Sequence, residues 1–127
     1  MKEHHGKIWW TELMTSDLEA SKKFYSDVTG WSFDGMPMPD GNTYTLFKTD
    51  GEVRGGMLAR TPGDFEGPDA WMSYFAVSDV DAAVDAVGGR GGSVMRPPFD
   101  VPGVGRIAIV ADATGAVSGI MTPADQG

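Results

Sequence analysis

"WWTELMTSDLEASKKFY" (Trp9–Tyr25) opens as a strand and turns into a helix, and "WMSYFAVSDVDAAVDAV" (Trp71–Val87) does the same 62 positions later. In the first copy, Lys7 to Met14 is a strand-like run with two tryptophans. Ser16 stands three before Glu19, the spacing of a capping box that satisfies the first free amides of a helix. Ser21, Phe24, Tyr25 and Val28, with Leu18 close by, predict the buried face, and Gly30 predicts the stop. Strands are expected near Trp31–Asp34, Thr43–Thr49 and Val53–Arg60, with "PDGN" and "TDGE" as the turns.

The second copy keeps the order. Trp71–Val77 reads as a strand, and Ser78 and Asp81 repeat the capping-box spacing. Val80, Ala83, Val84 and Val87 give a helical face, and "GGRGG" ends it. Strands follow near Ser93–Arg96, Gly105–Ala111 and Ala116–Met121. "SDLEA" matches "SDVDA" and Gly30 matches Gly92 at an offset of 62, while "RGGM" matches "SGIM" at 64. The expected fold class is α+β, two β-α-β-β-β modules in a single domain over 6–123: module one 6–60, linker 61–69, module two 70–123.

The totals agree with one globular domain of 127 residues, 41% of them apolar. A net charge of −8 argues against nucleic acid, which needs clustered Lys and Arg, and suits solubility or a cationic ligand. No apolar run nears the ~18 residues of a membrane span, and no signal peptide is read before the first strand. The absence of cysteine excludes disulfides and thiolate metal sites and fits a cytoplasmic location.

The helix ending "FYSDVTGW" and the late turn "DATGAVSGI" resemble the vicinal oxygen chelate superfamily, in its glyoxalase-like and bleomycin-resistance-like subgroup. The likeness runs over about residues 6–123. It implies that the modules form a cup-shaped mixed sheet, the glyoxalase/bleomycin-resistance/dioxygenase fold, and that single-domain relatives pair as homodimers. It also implies metal-ligand positions on the first and last strand of each module. Here these are Trp10, Gly55, Met72 and Gly119, none of which is a usual ligand of Zn, Fe or Ni. The only histidines, His4 and His5, precede the first strand and read as a frayed terminus. No metal and no cofactor is therefore expected.

Strand alternation puts Trp10 with Glu12, and Met72 with Tyr74, on one face, leaving Trp9, Thr11, Leu13, Trp71, Ser73 and Phe75 toward the helices. A carboxylate between "IWW" and "LM" is costly to bury unless paired or protonated. Burial raises a carboxyl pKa toward the range of a general base, and a neighbouring guanidinium lowers it. Glu12 thus reads either as a structural carboxylate bonded to Tyr74, Arg106 or a backbone amide, or as a group for ligand contact or proton transfer. Glu12 and Tyr74 are the candidate catalytic pair. Trp10, Gly55, Met72, Arg106 and Gly119 are the candidate ligand-binding residues, Arg106 as an anion site. The expected function is binding of a small organic molecule, cationic or aromatic. The alternative is a metal-independent lyase or isomerase with Glu12 as acid/base.

Overall fold

The computed structural model describes residues 4–38, 41–60, 68–101 and 103–124. The linker expected at 61–69 lies outside these residues up to position 67, as do the first two residues of the "PDGN" turn. The chain packs as two compact units, Trp10–Trp71 and Met1–Trp9 with Met72–Gly127.

In the first unit, β1 (Ile8–Thr15) leads to α1 (Leu18–Thr29), then β2 (Ser32–Pro37), β3 (Thr43–Thr49) and β4 (Glu52–Ala59). The strands lie in the order β2-β3-β4-β1, antiparallel except for the parallel pair β4 and β1. A parallel neighbour needs a crossover connection. The β3–β4 hairpin turns on Asp50 and Gly51, both at positive φ (53° and 78°), the pattern that matches strand twist in a two-residue turn.

Helix α1 starts one residue later than the capping-box spacing predicts. Asp17 is the N-cap and its carboxylate accepts from the Ala20 N–H at 3.1 Å. Ser16 is drawn away instead, its N–H and hydroxyl both donating to Asp69 (2.9 and 2.7 Å). Gly30 closes the helix in the left-handed region at φ 76°, as expected. The inward face is also rotated from the expected one. Phe24 and Val28 are 54% and 64% exposed, while Leu18 and Tyr25 pack against the core of Leu13, Phe47 and Met57. Stacking decides the rotation: Tyr25 lies on Trp31 (ring centroids 5.1 Å apart), and Trp31 on Phe47 (4.0 Å). Trp71 closes the cluster edge-on and donates its indole N–H to the Tyr25 hydroxyl at 3.0 Å. Leu13, Trp71 and the helix thus share the side that alternation assigned them, and burial of each large core side chain is worth about 1.5–3 kcal/mol.

The second unit repeats the plan with β5 (Ala70–Ala76), α2 (Val80–Val87), a 3₁₀ turn at Gly88–Arg90, β6 (Ser93–Val101), β7 (Gly105–Ala111) and β8 (Val117–Pro123). Its strand order is β5-β8-β7-β6, with β5 and β8 parallel. The N-cap is again the aspartate, Asp79, bonded by the Ala82 N–H. Strand β6 runs five residues past its expected end, through Pro97 and Pro98; its register shifts on either side of Arg96, and prolines are tolerated at such irregularities.

Residues His5 to Lys7 are zipped into this second unit. Gly6 N–H donates to the Ala76 carbonyl and Ala76 N–H to that of Lys7 (2.6 and 2.9 Å). His5 accepts the Ser78 N–H on Nδ1 at 2.9 Å. The expected frayed terminus is instead held at His5.

Candidate functional site: a buried carboxylate beside a tyrosine–glycine contact

Glu12 sits where β1 goes under cover, and is 8% exposed. A partner that the sequence did not suggest is Tyr44, whose hydroxyl donates to Oε2 at 2.6 Å. Tyr44 in turn accepts the indole N–H of Trp10 at 3.1 Å. Each bond has a fixed direction, because an indole nitrogen can only donate. The three side chains form one line: Trp10 to Tyr44 to Glu12.

Tyr44 reaches Glu12 from two strands away because the strand between them carries no side chain there. Gly56 of β4 is in register with Glu12 on one side and Leu46 of β3 on the other. A Cβ on Gly56 would fall within the Tyr44 phenol. Gly55, the candidate drawn from the repeat, faces the other way; its Cβ would meet the Thr11 carbonyl and the Phe47 ring, beside the core of Leu13. The offset is corrected by the pairings: Glu12 pairs with Gly56 and Tyr74 with Gly119, so Gly56 is the counterpart of Gly119.

The second unit repeats the tyrosine–glycine contact. Tyr74, 8% exposed, lies against Gly119, whose Cβ would enter the Tyr74 ring. Met72, one turn of the pleat earlier, is 7% exposed. Tyr44 was missed in the sequence; its signal is a lone tyrosine in an alternating strand, "TYTLF", that pairs with a Gly-Gly strand.

Arg106 is committed elsewhere. Its Nε and Nη2 donate to the two oxygens of Asp81 (2.8 and 3.0 Å) and its Nη1 to Asp100 (3.2 Å). The Arg106 bonds hold the Asp81 carboxyl below its usual value, and Asp81 and then Asp100 raise the guanidinium above its own. These residues line an open cleft of about 440 Å³ with Asp79, Val80 and Thr122. With two carboxylates already on it, the guanidinium is a poor anion site. A second cleft of about 400 Å³ lies beside α1, among Thr15, Asp17, Phe24, Tyr25 and Trp71. Glu12 lines neither.

The metal-ligand positions that the fold family implies do not fit a transition metal here. Tyr44 and Tyr74 fill the space beside Gly56 and Gly119, Trp10 offers a donor only, and among the described residues no three of His, Cys, Asp and Glu gather.

Residues 7–117 match the family described as Glyoxalase/Bleomycin resistance protein/Dioxygenase superfamily. The chain is 42% identical over 113 residues to the putative glyoxylase CFP32 of Mycobacterium tuberculosis, covering 87% of this chain and 43% of that one. It is 35% identical over 123 residues to the anthracycline biosynthesis protein DnrV of Streptomyces peucetius, covering 87% and 45%. The chain therefore spans less than half the length of these relatives. Among solved structures it is similar to methylmalonyl-CoA epimerase from M. tuberculosis, with a TM-score of 0.66 and 18% identity over 95% of this chain and 89% of that one. The Streptomyces coelicolor epimerase in complex with 2-nitronate-propionyl-CoA gives 0.67 and 19%, over 95% and 99%. At such identity these two likenesses show the fold alone. By its sequence over residues 7–117, the chain belongs to the glyoxalase/bleomycin resistance protein/dioxygenase superfamily.

Proposed function

We propose that this protein binds a small organic molecule against Glu12, with Trp10 and Tyr44 as the adjoining contacts and no metal in the contact. The observation that supports this is the Glu12 carboxylate, buried and bonded by Tyr44 at 2.6 Å, two positions along β1 from Trp10. Burying a charge costs several kcal/mol, and a purely structural role would be met as well by an apolar side chain. Glu12→Gln tests the reading: it should keep near-native stability in urea and weaken binding of any molecule found by a fragment screen that follows the Trp10 and Tyr44 signals. Lower stability with unchanged binding would make Glu12 structural.

A second reading is a metal-independent lyase or isomerase in which Glu12 takes a proton and returns it. The 42% identity to a putative glyoxylase favours it. Glu12→Gln should then cost ~10²–10⁴ in turnover. In either reading we infer a homodimer, supported by apolar side chains along β6 and the following turn: Val94, Met95 and Val104 are 39%, 48% and 37% exposed. Light scattering at micromolar concentration should return twice the 13.5 kDa of one chain.

A further inference from the structure

We propose that the cleft beside α1 is a small-molecule site of its own, and that it takes an organic cation with an aromatic body. It is separate from the Glu12 contact. Successive side chains of a strand face opposite ways, so Leu13 and Thr15 line this cleft from the side of β1 that Glu12 does not share. Its volume, about 400 Å³, falls in the range of small-ligand clefts, about 300–1,000 Å³. Two aromatic side chains of the lining, Phe24 and Trp71, are 54% and 37% exposed. Trp71 is also fixed: its indole N–H is given to Tyr25, and its ring stands edge-on to Tyr25, Trp31 and Phe47. A ligand meets a wall that is already ordered, which lowers the cost of binding.

The charge of the cleft decides the ligand. Asp17 and Asp69 both line it, and Ser16 draws them together by giving its N–H and hydroxyl to Asp69 (2.9 and 2.7 Å). Those two bonds, and then Arg60, hold the Asp69 carboxyl below its ordinary value, so it is ionised at neutral pH. Arg60 answers that charge at 3.2 Å. The Asp17 carboxylate takes the Ala20 N–H at 3.1 Å and has no ion pair among the described residues. The cleft thus presents one uncompensated carboxylate beside exposed aromatic rings, whose faces attract cations. An anion would find the N-terminus of α1, the feature that usually draws one, already capped by Asp17. The net charge of −8 adds to the same preference.

Benzyltrimethylammonium, benzyl alcohol and phenylacetate test this, each titrated into the native chain and two variants at neutral pH. Asp17→Asn removes the charge but keeps a good N-cap, and Phe24→Gln trims a mostly exposed ring without weakening the helix. The readouts are the Trp71 indole N–H resonance and the heat of binding. The cation should shift the Trp71 signal and bind about tenfold tighter than phenylacetate. Asp17→Asn should remove most of that preference, and Phe24→Gln should weaken the cation by about fivefold, with both urea midpoints near native. Phenylacetate binding as tightly as the cation, or a preference that survives Asp17→Asn, would overturn the charge assignment. Silence of Trp71 toward all three probes at millimolar concentration, or cation binding unchanged in Phe24→Gln, would overturn the site. The Glu12 reading stands or falls separately, on the signals of Trp10 and Tyr44.

Discussion

The phenol of Tyr44 occupies the space that a side chain at position 56 would need, so Tyr44 can cross β4 to reach Glu12 only because residue 56 is glycine. Gly56→Ala should therefore displace the ring, break the 2.6 Å bond to Glu12, and cost about 1–3 kcal/mol in urea unfolding. Tyr44→Phe removes only the hydroxyl. Since both changes act on one contact, the double variant should cost less than the sum of the singles. Strict additivity would mean that the two residues do not share this space.

The two candidate caps of α1 can be told apart. Asp17→Ala should cost ~1 kcal/mol, because it strips the acceptor from the Ala20 N–H. Ser16→Ala removes a hydroxyl from Asp69 but leaves the backbone N–H bonded to the same carboxylate, and should cost less than ~0.5 kcal/mol. The reverse order would restore the serine as the cap.

Asp112 organises the turn before β8, accepting from the Thr114 hydroxyl and N–H (both 2.8 Å) and the Ala116 N–H (3.1 Å). The Thr114 side-chain bond, and then the backbone bonds, hold its pKa below the ordinary value. A depressed folded pKa gives stability that is present above the unfolded value, near 3.9, and lost as pH falls through the folded one. Urea melts should show a constant gap between native chain and Asp112→Ala from pH 7 to about 5, shrinking below about 4. A gap that widened on acidification would contradict the assignment.

Arg106→Lys should lower stability slightly at low salt, since one ammonium cannot reproduce the two-pronged contact with Asp81 and the third bond to Asp100. The difference should fade toward 1 M NaCl, where screening acts within about 3 Å.

The repeat of strand, helix and three strands was legible because it rests on local signals: alternation, a helical stripe, Gly30 and the Gly-rich end of α2. What escaped was set by contacts distant in sequence. Ser16 lost the cap to Asp17 because Asp69, 53 residues away, takes both of its donors. Phe24 lost its inward place to the stack of Tyr25, Trp31 and Phe47, which no single-helix periodicity contains. Glu12 was singled out correctly as a buried carboxylate, yet Tyr44, which bonds it, lies 32 residues off on a strand that is not its neighbour. The choice between Gly55 and Gly56 depended on register, and a slip of one residue reverses the face.

The pairing of Gly6 and Lys7 with Ala76, and of His5 with Ser78 across 73 residues, ties the earliest described stretch of the chain to its later half. Polypeptide emerging in order would thus carry His4–Trp9 unpaired until Ala76 and Ser78 were made. A protease cut between the modules would leave each fragment wrongly equipped, the later one lacking its edge partner. Assembly must wait on closure of this long loop, whose entropy is paid before its contacts repay it, and refolding should be slow for a domain of this size.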